Sequence, residues 1–127
     1  MMESKKIEEF TNYLDQRTFS IQENVLRLMA DNRRDEADFE KIRANIFQIV
    51  KQVAKAIFKN SAQASQEESQ RVSCLESRLI LFQETWESFL KKAEEHEDDL
   101  KIVKEETKLE ALAEIREAFQ KIWGCQS

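Results

Sequence analysis

Apolar side chains recur every three or four residues along most of this chain, and polar side chains fill the positions between them. This spacing places the apolar residues on one face of an α-helix. Short polar stretches divide the pattern into four segments. We therefore predict helices at about residues 4–30, 36–59, 65–95 and 99–123.

The ends of these segments carry typical helix-terminating residues. Ser4 and Asp35 are suitable N-caps for the first and second helices, and Ser65 begins a capping box for the third. Gly124 follows the last apolar residue, where a left-handed residue commonly ends a helix. The second helix has the widest apolar arc, which is typical of the most buried helix in a bundle.

The third segment has the strictest pattern, a heptad seam without a slip. Its members are Val72, Leu75, Leu79, Phe82, Trp86, Phe89 and Ala93. The acidic residues 94–99 follow, and Leu100 and Val103 could continue the same seam. The next apolar residues have a different phase: Leu109, Leu112, Ile115, Phe119 and Ile122. A phase change indicates a turn or a stutter within one helix.

We predict a turn near residues 96–99, because it gives four helices of similar length. A break near residues 104–107 is the second choice. In a further alternative, the third and fourth helices are continuous and form a long coiled-coil helix. Four amphipathic helices joined by short loops predict an all-α, antiparallel up-down four-helix bundle.

Composition supports one helical domain over residues 1–127. The 127 residues include one glycine and no proline, whereas a typical domain has about 7% and 5% of these residues. Hairpins and phosphate-binding loops depend on glycine or proline, so the sequence excludes most of them. The length is sufficient for one hydrophobic core.

Charge is distributed unevenly along the chain. Residues 1–64 hold 11 basic and 10 acidic side chains, whereas residues 65–127 hold 9 and 15. Because an acidic surface repels phosphate backbones, we expect no nucleic-acid partner. No apolar run approaches the roughly 20 residues of a membrane span, and we do not expect a membrane-surface role.

Two cysteines, Cys74 and Cys125, and the lack of an apolar stretch after residues 1–6 predict a reduced protein in the cytoplasm. His96 is the only histidine, and Ala93 precedes it by three residues. Di-iron bundles need two Glu-x-x-His motifs, so that site is excluded. Since no residue pattern pairs a nucleophile with a base, we expect no enzyme activity, no metal and no cofactor.

The second predicted helix carries five basic residues and no acidic residue between positions 41 and 59. Lys51, Lys55 and Lys59 form the end of this basic face. Such a face binds an external anionic partner or pairs with acidic helices of its own bundle. We favour pairing with the acidic third and fourth helices.

These patterns favour an interaction or structural module that acts through protein–protein contacts, with a homodimer as one form. The candidate contact residues are apolar side chains outside the main stripes: Phe19, Leu26, Phe47, Phe58, Ile80 and Leu81. Exposed apolar clusters often mark such contacts. The alternative is a small-ligand- or lipid-binding bundle with an apolar pocket lined by Trp86, Phe89 and Phe119. The sequence does not identify the partner.

Overall fold

Four α-helices contain nearly all of the residues that the computed structural model describes, which are residues 5–59 and 68–124. The helices are α1 (Lys5–Ala30), α2 (Arg34–Lys59), α3 (Glu68–Glu95) and α4 (Asp99–Trp123). Neighbouring helices are antiparallel: for example, Val25 and Leu28 near the end of α1 cluster with Ala37 near the start of α2. The predicted all-α four-helix bundle is confirmed.

The observed helix boundaries lie close to the predicted ones. α2 begins at Arg34 rather than at position 36, so Asp35 is not the N-cap that we predicted but lies in the first turn together with Glu36. Their negative charges there face the positive end of the helix dipole. The predicted caps Ser4 and Ser65, the loop at 60–64 and Cys125 lie outside the described residues.

The turn between α3 and α4 confirms the predicted break near residues 96–99, so the two helices are not continuous. The Asp98 side chain caps α4 and accepts a hydrogen bond from the backbone N–H of Lys101 at 3.2 Å. At the other end of α4, Gly124 has a left-handed φ of 57°. Its N–H donates to the carbonyl oxygen of Gln120.

The helices pack with α2 and α4 in contact across the middle of the bundle. α1 contacts α2 and α4, and α3 contacts the same two helices from the other side. Within the described residues, α1 and α3 do not contact each other. In cross-section the four helices therefore form a rhombus whose short diagonal joins α2 and α4. α1 and α3 lie at the ends of the long diagonal, where each has a wide face that no other described helix covers.

Aromatic side chains fill the end of the core where α1 begins and α4 ends. The ring of Phe10 meets Phe119 and Trp123 edge-on, with centroid distances of 6.0 and 5.5 Å. Phe58 stacks on the other side of Trp123 at 6.1 Å. Such pairs add about 1 kcal/mol each to the burial of their area, so aromatic contacts stabilise this end of the bundle.

We expect Phe10→Ala to lower the free energy of unfolding by about 3–5 kcal/mol, because it removes a fully buried ring and leaves a cavity. Phe19→Ala is the matched control, since the same residue type on the same helix is exposed. Its effect should stay within about 0.5 kcal/mol. Urea unfolding followed by circular dichroism measures both; equal losses would contradict the assignment of the core.

Candidate functional site

The outer face of α1 carries two large apolar side chains. Phe19 is 62% exposed and Leu26 is 69% exposed. The two residues are separated by two helical turns, so they lie on the same face, opposite the buried stripe that includes Ile21 and Leu28. Met29 is a further exposed apolar residue one turn beyond Leu26. We call Phe19 and Leu26 the α1 patch.

The outer face of α3 carries a second pair of exposed apolar residues, Ile80 and Leu81. We call these two residues the α3 patch. They follow directly after Leu79, which is buried in the core. A helix turns about 100° per residue, so the three side chains diverge, and only neighbours on several sides could cover all of them. Because α3 contacts only α4 and α2 among the described helices, the α3 patch stays exposed.

The other two predicted contact residues are less accessible than the α1 and α3 patches. Phe47 is fully buried, so it offers no surface to a partner. Its ring lies 6.2 Å from that of Tyr13 and beneath the guanidinium group of Arg17. Phe58 is half-buried and packs against the core. The reason is geometric: the apolar arc of α2 is wide, so α1 covers Phe47 on one part of it and Trp123 of α4 packs against Phe58 on another.

The predicted basic face of α2 pairs with both α1 and α4. Lys51 forms an ion pair with Asp15 of α1, and both lysines at positions 55 and 59 are exposed. An open cleft of about 510 Å³ includes these three lysines together with Ile7 and Phe58. We expected the negative partners of this face on the third and fourth helices. The partner of Lys51, however, is on α1. The partner of Arg43 is on α4 as expected, because its guanidinium group lies 3.3 Å from the Glu110 carboxylate.

A polar clamp of Tyr13, Arg17 and Glu114 joins α1 to α4. The guanidinium group of Arg17 donates two hydrogen bonds to the Glu114 carboxylate, at 2.6 and 3.2 Å, and the Tyr13 hydroxyl donates a third at 3.0 Å. Partial burial alone would raise the pKa of Glu114. The bonds from Arg17 and Tyr13, with the charges of Arg17 and Arg43, outweigh burial and hold the pKa of Glu114 below its usual value.

The same clamp changes the tyrosine. Burial, followed by the hydrogen bond to Glu114 and the negative charge of that carboxylate, raises the pKa of Tyr13 well above its ordinary value. Tyr13 therefore stays neutral as a hydrogen-bond donor at physiological pH. The arrangement stabilises the contact between helices and does not activate the phenol as a base.

An open cleft of about 530 Å³ lies between α1 and α2 beside the clamp. Its lining residues are Arg17, Ser20, Ile21, Glu23, Asn24, Arg27, Glu40 and Arg43. The arginines there already have partners: Arg27 bonds to Asn24, and Arg43 pairs with Glu40 at 3.5 Å. Arg17 pairs with Glu114 at the edge of this cleft, so each of its three arginines already has a side-chain partner and the cleft is a polar groove.

The three residues expected to line an apolar pocket lie in different surroundings. Trp86 is buried and stacks on Phe82 with ring centroids 5.2 Å apart. Phe119 is buried at the aromatic end of the core, whereas Phe89 is 41% exposed. The indole and the Phe119 ring are thus packed by protein side chains, and the Phe89 ring is partly open to solvent, with the Lys108 ammonium group 6.0 Å from its centroid.

The first two turns of α4 show a feature that the sequence reasoning missed. Leu100, 59% exposed, and Val103 face outward. Among residues 99–105, the buried one is Glu105, which is just 4% exposed. One oxygen of Glu105 accepts a hydrogen bond from Lys108 at 3.2 Å, and the other has no partner among the described residues. The change in the apolar phase after Val103 was the sequence signal that could have indicated that Leu100 and Val103 face outward.

Metal and membrane sites are absent from the described residues. Within 5–59 and 68–124, no three His, Cys, Asp or Glu side chains lie together as a metal site would require. No helix in these ranges combines the length and apolar content of a membrane span. His96 is exposed in the α3–α4 turn. Comparison with protein-family models, with curated proteins and with solved structures found no match.

We expect Glu114→Gln to lower the free energy of unfolding by about 1 kcal/mol at about pH 7, since the clamp is partly exposed to solvent. Because the folded pKa of Glu114 is depressed, its stabilising effect is complete above the unfolded pKa of about 4.3 and is lost as the pH falls through the lower folded value.

Urea unfolding of both proteins between about pH 3 and pH 7 tests this expectation. The difference in the free energy of unfolding between wild type and Glu114→Gln should shrink towards zero in acid. Glu106→Gln, at an exposed position about two helical turns before Glu114, is the control and should show little difference throughout. If the loss of stability caused by Glu114→Gln stays constant or grows in acid, the charged Glu114 carboxylate does not stabilise the contact between α1 and α4.

Proposed function

We propose that this chain is a non-enzymatic interaction module that acts through protein–protein contacts on the outer faces of α1 and α3. The observation that carries the proposal is the exposure of the α1 patch. Both of its residues extend from the same helix face into solvent, whereas apolar residues of the same size in the core are almost fully buried.

The geometry of the bundle supports this proposal. An exposed apolar residue on its own is common and has no special meaning. Here, however, two large residues recur at the spacing with which one helix face contacts another. Gln22 and Glu23 lie between them along α1, which gives the surface the mixed apolar and polar character of a non-obligate interface.

The polar residues support a structural rather than a chemical role. The hydrogen bonds of Tyr13, Arg17 and Glu114 join helices, and the ion pair of Lys51 does the same. A module of this kind needs no cofactor. We propose that it works in the reducing environment of the cytoplasm, with either a second copy or another protein as partner.

We expect the double substitution Phe19→Gln with Leu26→Gln to weaken partner binding about tenfold or more, equivalent to about 1.4 kcal/mol. The thermal unfolding temperature should stay unchanged, because neither side chain is buried. Cross-linking in source cells, followed by titration of the captured protein or of a second copy, measures the affinity. Gln16→Ala, at an exposed position on α1, is the control.

A parallel variant, Ile80→Gln with Leu81→Gln, tests the α3 patch in the same assay. The two double variants show which outer face binds the partner. If the chain carrying all four substitutions folds, keeps every wild-type contact and keeps the wild-type oligomeric state, the proposed function is wrong.

A further inference from the structure

The α3–α4 turn places a glutamate where helix ends usually have glycine. The N–H of Asp98 donates to the carbonyl of Ala93 and the N–H of Glu97 donates to that of Glu94, which is the Schellman pattern. Glu97 occupies its left-handed position with a φ of 53°. L-residues with a bulky side chain disfavour this conformation. The turn is therefore closed against a local backbone preference.

The apolar seam of α3 continues in the sequence beyond this turn. After Phe89 and Ala93, the spacing of three and four residues leads to His96, Leu100 and Val103. In the closed hairpin Leu100 and Val103 are exposed, because another phase of α4 faces the core. If residues 96–98 were helical, both side chains would extend the α3 seam on the same helix face.

We propose that the turn at residues 96–98 is a hinge and that its opening produces a domain-swapped homodimer. In each copy α3 and α4 then form one long helix, and α4 packs into the bundle of the second copy. The partner is a second copy because the surface that receives α4 is already complementary to it: Arg17 and Tyr13 would bond to Glu114 of the other copy as they do within one chain. This proposal uses other residues than the α1 and α3 patches and does not depend on them.

Two features favour the open form. Opening releases Glu97 from its left-handed conformation, and short strained hinges invite swapping. It also brings the two hinge segments side by side, where Leu100 and Val103 can be covered. No glycine or proline lies between positions 94 and 99, so the hinge lacks the two strongest helix breakers.

Two features favour the closed form. A continuous helix would place Glu94 near Asp98, and Glu95 near Asp99, at the i,i+4 spacing where like charges repel. Opening also removes the cap that Asp98 provides to α4. The closed monomer should therefore dominate in dilute solution, and the dimer should form when the chain refolds at high concentration.

Two substitutions at one position test the hinge. Glu97→Gly suits the left-handed turn and disfavours a helix, whereas Glu97→Ala does the opposite. After refolding of the full chain at high concentration under reducing conditions, sedimentation velocity should show a dimer dissociation constant about tenfold or more lower for Glu97→Ala than for Glu97→Gly. Asn32→Gly, at the left-handed position of the α1–α2 turn, is the control and should match wild type. Equal dimerisation of both Glu97 variants would overturn the proposal.

A charge exchange distinguishes swapping from contact between surfaces. Arg17→Glu and Glu114→Arg each place like charges across the α1–α4 clamp of their own chain. When the two variants are refolded together, a swapped heterodimer has an opposite pair in both of its bundles. One bundle joins the two substituted side chains, and the other joins the native Arg17 and Glu114. We expect this mixture to form a heterodimer that unfolds at a higher temperature than either variant alone.

The single chain that carries both Arg17→Glu and Glu114→Arg shows whether the reversed ion pair is tolerated within one copy. It should fold as a monomer in which the reversed pair joins α1 to α4. If it folds and the mixture still yields no heterodimer, the swap does not occur. Because the α1 and α3 patches are intact in all of these variants, this failure would leave the proposed function untouched.

Discussion

The contact between α2 and α4 across the middle of the bundle decides which surfaces the protein exposes. α2 has an apolar arc too wide for one neighbour: Tyr13 of α1 packs against Phe47, and Trp123 of α4 stacks on Phe58. This arrangement keeps α1 and α3 apart along their described lengths. Each of these outer helices then keeps a face that no other described helix covers, and the α1 and α3 patches lie on those faces. The candidate surfaces thus follow from how the core is closed.

Packing differs between the two ends of the bundle. Phe10, Phe119 and Trp123 interlock at one end. At the other end, Val25, Leu28 and Ala37 form a small separate cluster, and α4 buries Glu105 where a core residue would be expected. Regions with few buried apolar contacts open at a lower free energy than the rest of a structure. Local opening should therefore start at the end that contains the α3–α4 turn.

The helices were predictable because their signals are local. Spacing located all four, and the expectation of four helices of similar length placed the turn near residues 96–99, where the structure shows Asp98 as the cap of α4. The burial of Phe47 was not predictable, because a wide stripe does not reveal which of its flanks a neighbour covers. The outward position of Leu100 and Val103 was also not predictable, because it depends on which apolar phase of α4 faces the core. The sequence shows two such phases, and the contacts of Glu114 with Arg17 and Tyr13 help to orient α4 towards α1.

Three departures from local rules occur within residues 97–105. They are a left-handed glutamate, two exposed apolar residues on a continuing seam, and a buried carboxylate with one oxygen that has no partner in the described part of the chain. Natural sequences agree with their folds at most positions, so a cluster of disagreements indicates a second state or a function. The α1–α2 turn is the internal comparison. It has the same hydrogen-bond pattern, but its left-handed residue is Asn32, a type that tolerates this conformation. The disagreement is therefore specific to the α3–α4 hinge, and a turn that holds a glutamate in the left-handed conformation gives the chain a physical reason to exchange α4 with a second copy.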